Sequence, residues 1–68
     1  MPEVESSAIE RIDYQARRRE LFVTFTSGRR YIYYDVPERV YWHFLDADSR
    51  GRYFNLHVRD HYDFRELV

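Results

Sequence analysis

The chain has no cysteine, only two glycines and two prolines in 68 residues, and basic side chains of a single kind, since all 11 are arginine and none is lysine. Without cysteine there is no disulfide framework and no Cys-containing zinc site, and nothing points to an oxidising compartment. Two glycines are too few for a Gly-rich phosphate loop. No apolar run approaches the roughly 20 residues of a membrane helix, and Met1 to Glu10 has neither the basic start nor the apolar core of a signal peptide. These absences predict a cytoplasmic protein with no membrane association. Large net charge is missing too: 11 basic against 12 acidic side chains leave −1, so no whole-molecule field draws the chain to nucleic acid or an anionic surface, and any basic site must be local.

What is present is aromatic mass. Seven Tyr, five Phe and one Trp supply 19% of the chain, and rings bury much area per residue. A chain of this length buries only about 60% of the surface its unfolded form exposes, so these rings are the expected stabilisers of a single domain over residues 7–68. Residues 1–6 are short, acidic and polar, which predicts a disordered N-terminus.

Ala8 to Tyr14 carries Ile9, Ile12 and Tyr14 and fits a strand with an irregular start, followed by a polar reversal over Gln15 to Arg19. Leu21, Val23 and Phe25 alternate with Phe22, Thr24 and Thr26, the period of two that marks a strand with unlike faces. Ser27 and Gly28 make a turn in which glycine can take positive φ, and Tyr31 to Tyr34 returns as a third strand. The more apolar row is assigned inward with Tyr31 and Tyr33 opposite it, leaving Phe22, Thr24, Ile32 and Tyr34 outward. Asp35 three residues before Glu38, with Pro37 in the first turn, reads as a capping box opening a helix from about Val36 to Asp46. Val40 and Phe44, with Tyr41 and Leu45, form its apolar face. Ser49 can cap a second helix over roughly Arg50 to His61, with Phe54, Val58 and either His61 or Tyr62 facing inward. The predicted fold is α+β: a three-stranded antiparallel meander followed by two helices packed on one sheet face, in the order β-β-β-α-α.

Ser7-Ala8-Ile9 with Ile12 and Tyr14, Leu21-x-Val23-x-Phe25 closing on Ser27-Gly28, and Tyr31-x-Tyr33 running into Val36-Pro37 together resemble the KTSC domain family. Ala47-x-Ser49-x-Gly51-x-Tyr53-Phe54-Asn55, followed by Val58-Arg59 and Tyr62, is similar to that family's closing segment. The resemblance runs over about residues 7–67. The family is named after a C-terminal extension on some lysyl-tRNA synthetases and also occurs as small standalone bacterial proteins, the form this chain resembles. It implies RNA binding, in tRNA-like form, as a role to test, and the near-neutral charge implies weak binding.

Two clusters could meet nucleic acid. At the start of the second helix, Ser49 and Gly51 offer backbone N–H groups at a positive dipole end. Arg52, Asn55 and Arg59 share a face there, and Arg50 joins them. In the other cluster, Arg29 and Arg30 stand beside Tyr31, Tyr33 and Tyr34, with Phe22 across the strand pair. Exposed rings with arginines are a means of holding single strands, and the alternation leaves Tyr34 as the exposed one. Each cluster has a plain structural reading as well: a capped helix whose arginines pair with Asp46, Asp48 or Asp60, and tyrosines that fill the core. Arg17, Arg18 and Arg19 in the first reversal, flanked by Asp13 and Glu20, read as solvated surface.

For catalysis there is little. His57 and His61 have the spacing of two metal ligands on a helix, but no Glu follows His57 and no third ligand is evident, so no metal or other cofactor is predicted. The serines are explained by turns and caps. The expectation is a non-enzymatic domain that binds RNA. Its rival is a protein-protein interaction module or homodimer using the exposed aromatic sheet face, through Phe22, Ile32 and Tyr34, together with Trp42.

Overall fold

The computed structural model describes residues 8–67; the N-terminal disorder expected for residues 1–6 lies outside them. Four antiparallel strands, β1 (Ile9–Gln15), β2 (Glu20–Phe25), β3 (Arg30–Tyr33) and β4 (Phe64–Leu67), form one sheet in the order β1-β2-β3-β4. Between β3 and β4 the chain forms α1 (Glu38–Asp46), α2 (Arg50–Tyr53) and a π-helical continuation over Phe54–Val58. This is the expected α+β architecture with a fourth, C-terminal strand added. No helix is long and apolar enough to cross a membrane among the described residues.

β1 opens with a bulge between Ile9 and Arg11. The extra residue lets Ile9 and Ile12, three apart, both point into the core, which an unbroken period of two forbids. Ile12 then pairs with Val23 and Tyr14 with Leu21, while Leu21 and Val23 pair onward with Tyr33 and Tyr31. Leu21 and Val23 are fully buried, each side chain contributing about 1.5–3 kcal/mol relative to exposure. The inward row is therefore the predicted one. The second turn is also as predicted, with Gly28 at φ +93° and its N–H bonded to the Phe25 carbonyl at 2.9 Å.

Helix α1 lays Val40 and Phe44 against that face, and Phe54 and Val58 complete the core from the second helical unit. Of the two residues expected inward beyond them, Tyr62 packs on the core and His61 is exposed. Phe54 is the hub: its ring meets Phe25 and Tyr33 edge-on at 5.6 and 5.7 Å and Phe44 at 6.4 Å.

Three local expectations are corrected. The Asp35–Glu38 capping box does not form. Asp35 takes a left-handed conformation (φ 58°), and the N-cap is Pro37, which makes no side-chain cap bond. The chain must turn sharply from β3 to cross over the sheet, and Asp tolerates that conformation better than most residues. The helix accordingly begins at Glu38, two residues later than predicted. The second helix is α-helical for one turn only, because the widened turn at Phe54–Val58 breaks the spacing. Ile32, assigned to the open face, is only 5% exposed although no helix covers it. Phe22 on β2 and Arg65 on β4 are its cross-strand partners, and bulky or long side chains at such positions cover a neighbour between them.

Candidate nucleic-acid interface

The cap at the second helix forms as the sequence indicates: the Ser49 hydroxyl accepts from the Arg52 N–H at 3.2 Å. The surrounding arginines, however, are drawn into the fold. Arg50 donates through Nη2 to the Leu45 carbonyl at 3.3 Å, satisfying an end of α1. Arg59 donates through Nη1 to Asn55 Oδ1 at 3.1 Å, and its Nε lies 3.5 Å from Asp60 Oδ2, with its side chain only 17% exposed. Asn55 is thus occupied by Arg59, and Arg52 is the member of the set that is exposed. The π-helical widening contributes to this outcome, since it takes Arg59 off the face that an unbroken α-helix would share with Arg52.

The open face of the sheet is arranged differently. Since Ile12, Val23, Tyr31 and Tyr33 pack in or against the core, their neighbours Arg11, Asp13, Phe22, Thr24, Arg30 and Ile32 point the other way. Arg65 joins them, because Phe64 next to it turns its ring to Tyr31 and Tyr33 on the helical side. Two cross-strand rows result: Arg11–Thr24–Arg30–Leu67 and Asp13–Phe22–Ile32–Arg65. Arg30 and Arg65 are exposed. Arg11 is paired with Asp13 at 2.8 Å, with both side chains largely in solvent, so the pair is worth at most about 1 kcal/mol and opens readily. Arg29, beside Arg30 in the turn, has Nε 4.0 Å from Glu66 Oε2 and is 68% exposed.

Tyr34 lies at the opposite end of this face. Its N–H donates to the Asp63 carbonyl at 2.9 Å, and its ring borders a shallow cleft shared with Asp35, Asp60, His61, Tyr62 and Asp63. Two of the three carboxylates there are paired, Asp35 with Arg19 at 3.7 Å and Asp60 with Arg59 at 3.5 Å. Arg65 could not be placed from sequence, because β4 is four residues long and lacks a distinct period. Arg11 could have been placed from its alternation with Ile12.

Catalytic constellations do not assemble among the described residues. His57 packs its ring on Tyr53, with centroids 4.7 Å apart, and His61 Nε2 is 2.8 Å from the Leu56 carbonyl, to which it donates. No group of three or more His, Cys, Asp or Glu able to hold a metal occurs among the described residues. Burial raises the phenol pKa of Tyr33 far above the ordinary tyrosine value and raises those of Tyr14 and Tyr53 as well, the mark of packed rings and not of an activated acid or base.

The KTSC domain family pattern matches residues 5–62. A protein of Tsukamurella paurometabola is 46% identical over 55 residues, covering 81% of this chain and 82% of its own length. A lysine–tRNA ligase of Nostoc punctiforme is 32% identical over 63 residues, covering 93% of this chain; the chain spans 11% of that enzyme. The crystal structure of a KTSC domain protein from Yersinia pestis superposes with a TM-score of 0.87 at 34% identity, over 98% of this chain and 94% of that one.

Proposed function

The chain belongs to the KTSC domain family, and from that premise we propose that it is a small non-enzymatic RNA-binding module working in the cytoplasm. The observation that carries this reading is the relative whose matching segment is part of an enzyme named for a tRNA substrate: nearly the whole of this chain aligns with about a tenth of a lysine–tRNA ligase. On this reading a segment that small, in which no three His, Cys, Asp or Glu gather to hold a metal among the described residues, acts by contact. The basic end of the open sheet, with Arg29 and Arg30, supports the same reading, because exposed guanidinium forks grip phosphate at two points. Arg50, Arg59, Asn55 and Ser49 already make intramolecular bonds, so the interface is proposed on the sheet.

The test is a titration of labelled tRNA at low and moderate salt. Binding should weaken steeply as salt rises, since each phosphate neutralised on a single strand contributes about 0.7 to the log–log slope. Absence of any binding at low salt removes the proposal. A second reading, a protein-interaction module or homodimer, draws on the half-buried Phe22 at the middle of the same face. It predicts a dimer in light scattering that Phe22→Ser disperses.

A further inference from the structure

Building on the RNA reading, we infer that the ligand is single-stranded and lies across the basic half of the open sheet face, a base stacked on Phe22 and its phosphates held by Arg30, Arg65 and Arg11. Phe22, half-buried, stands on β2 one row from Arg11 and Arg30 and in the same row as Arg65, with Asp13 opposite it on β1. Arg11 and Arg30 flank Thr24 in one row, and Arg65 lies beyond Ile32 in the next. Adjacent strands are about 4.8 Å apart, so the backbones of Arg11 and Arg30, two strands apart, are separated by about 10 Å, and Arg65 lies on the diagonal from Arg30 on the neighbouring strand. Arg30 and Arg65 are exposed and have no ion pair among the described residues, and the Arg11–Asp13 pair is solvated enough for a phosphate to displace the carboxylate.

Charge complementarity chooses this occupant over a second copy of the chain. A two-fold pairing of this face that set its basic half against itself would bring Arg11, Arg30 and Arg65 close to their own counterparts, whereas a phosphate backbone neutralises all three. Shape selects a single strand. Among the described residues the helices put Val40, Phe44, Phe54 and Val58 on the opposite, core side of the sheet, so this face offers no helix to a groove, and a ring on a sheet surface meets an unpaired base. Ile32, 5% exposed and paired in the ladder with Phe22 and Arg65, gives this face an apolar centre.

Anisotropy of a labelled oligoadenylate of about 10 nucleotides, at low salt, tests this. Arg30→Gln with Arg65→Gln should weaken binding at least about tenfold and lower the salt slope by about 1.4, at 0.7 per lost contact. Phe22→Leu, which keeps apolar bulk and removes the ring face, should weaken it by about fivefold or more. Arg39→Gln, at an exposed position of α1, should bind as the unaltered protein does. Far-ultraviolet circular dichroism shows that each variant is folded. Binding by the unaltered protein that the Arg30/Arg65 and Phe22 variants retain in full would overturn the placement and leave the RNA reading intact. No binding by the unaltered protein to either oligoadenylate or tRNA overturns both.

Discussion

The Tyr14 hydroxyl donates a 2.5 Å hydrogen bond to the Val36 carbonyl, joining β1 to the segment that enters α1 across 22 residues of sequence. The same Tyr14 ring stacks on Tyr41 of α1 at 5.2 Å and 15°. Val36 in turn donates its N–H to the Arg19 carbonyl at 2.9 Å. The β3–α1 crossover is thus pinned to the first hairpin, which sets how α1 lies over the sheet. Tyr14→Phe keeps the stack and leaves the carbonyl with one partner fewer. It should cost about 1 kcal/mol, read as a shift in the urea midpoint with an unchanged m-value. No change in the midpoint would mean that the bond contributes nothing beyond what water supplies.

Alkaline pH should unfold the protein through its tyrosines. Tyr33, Tyr14 and Tyr53 have pKa values raised by burial, above the roughly 10 of an unfolded chain. The stability linked to them is complete below about pH 10 and is lost as pH rises through the folded-state values, because the unfolded state releases those protons first. In a spectrophotometric titration, these three should ionise late and together with loss of the far-ultraviolet signal. All seven tyrosines ionising along one curve near pH 10, with the fold intact, would contradict the burial argument.

Phe54→Ala removes the ring on which Phe25, Tyr33 and Phe44 converge. A buried Phe→Ala change costs about 3–5 kcal/mol, comparable with the whole stability of a domain this size at about 0.05–0.15 kcal/mol per residue. The variant should lack a cooperative thermal transition, whereas Phe54→Leu, nearer in volume, should keep one at reduced temperature. A melting point within a few degrees of the parent for Phe54→Ala would show that the ring cluster is not the core's centre.

The two helix starts predict opposite responses. Ser49→Ala should cost about 1 kcal/mol, because the hydroxyl bonds to the Arg52 N–H. Asp35→Gly should change stability by less than about 0.5 kcal/mol: it gives up only an exposed 3.7 Å ion pair with Arg19, and glycine takes the left-handed conformation without strain. A loss of 1 kcal/mol or more at Asp35 would restore the capping box that the structure replaces.

Short-range residue patterns carry most of the architecture. Leu21, Val23 and Phe25 announce their face by alternation, Gly28 its turn, Ser49 its cap, and Val40 with Phe44 their helical stripe. Each is a relation among residues a few positions apart, which is the range over which period and propensity act. Asp35 misled for the same reason in reverse. Its spacing to Glu38 satisfies a local motif, but the crossover from sheet to helix demands a left-handed residue at that point, and the long-range demand prevails.

The candidate interface was less legible. Arg30 is on the surface by alternation alone, yet Arg59 and Arg50 look just as available in the sequence and are not. Whether a guanidinium is spent depends on a carbonyl, an amide or a carboxylate brought within about 3.5 Å by packing, and nothing in the local pattern reports that distance. The inner face, the turns and one domain's worth of aromatic core are consequences of composition and short-range order. The fourth strand, the burial of Ile32, and the gathering of Arg11, Arg30 and Arg65 on one open face arise when the chain's end returns to pair with β3, because strand pairing joins residues that lie 31 to 37 positions apart in sequence.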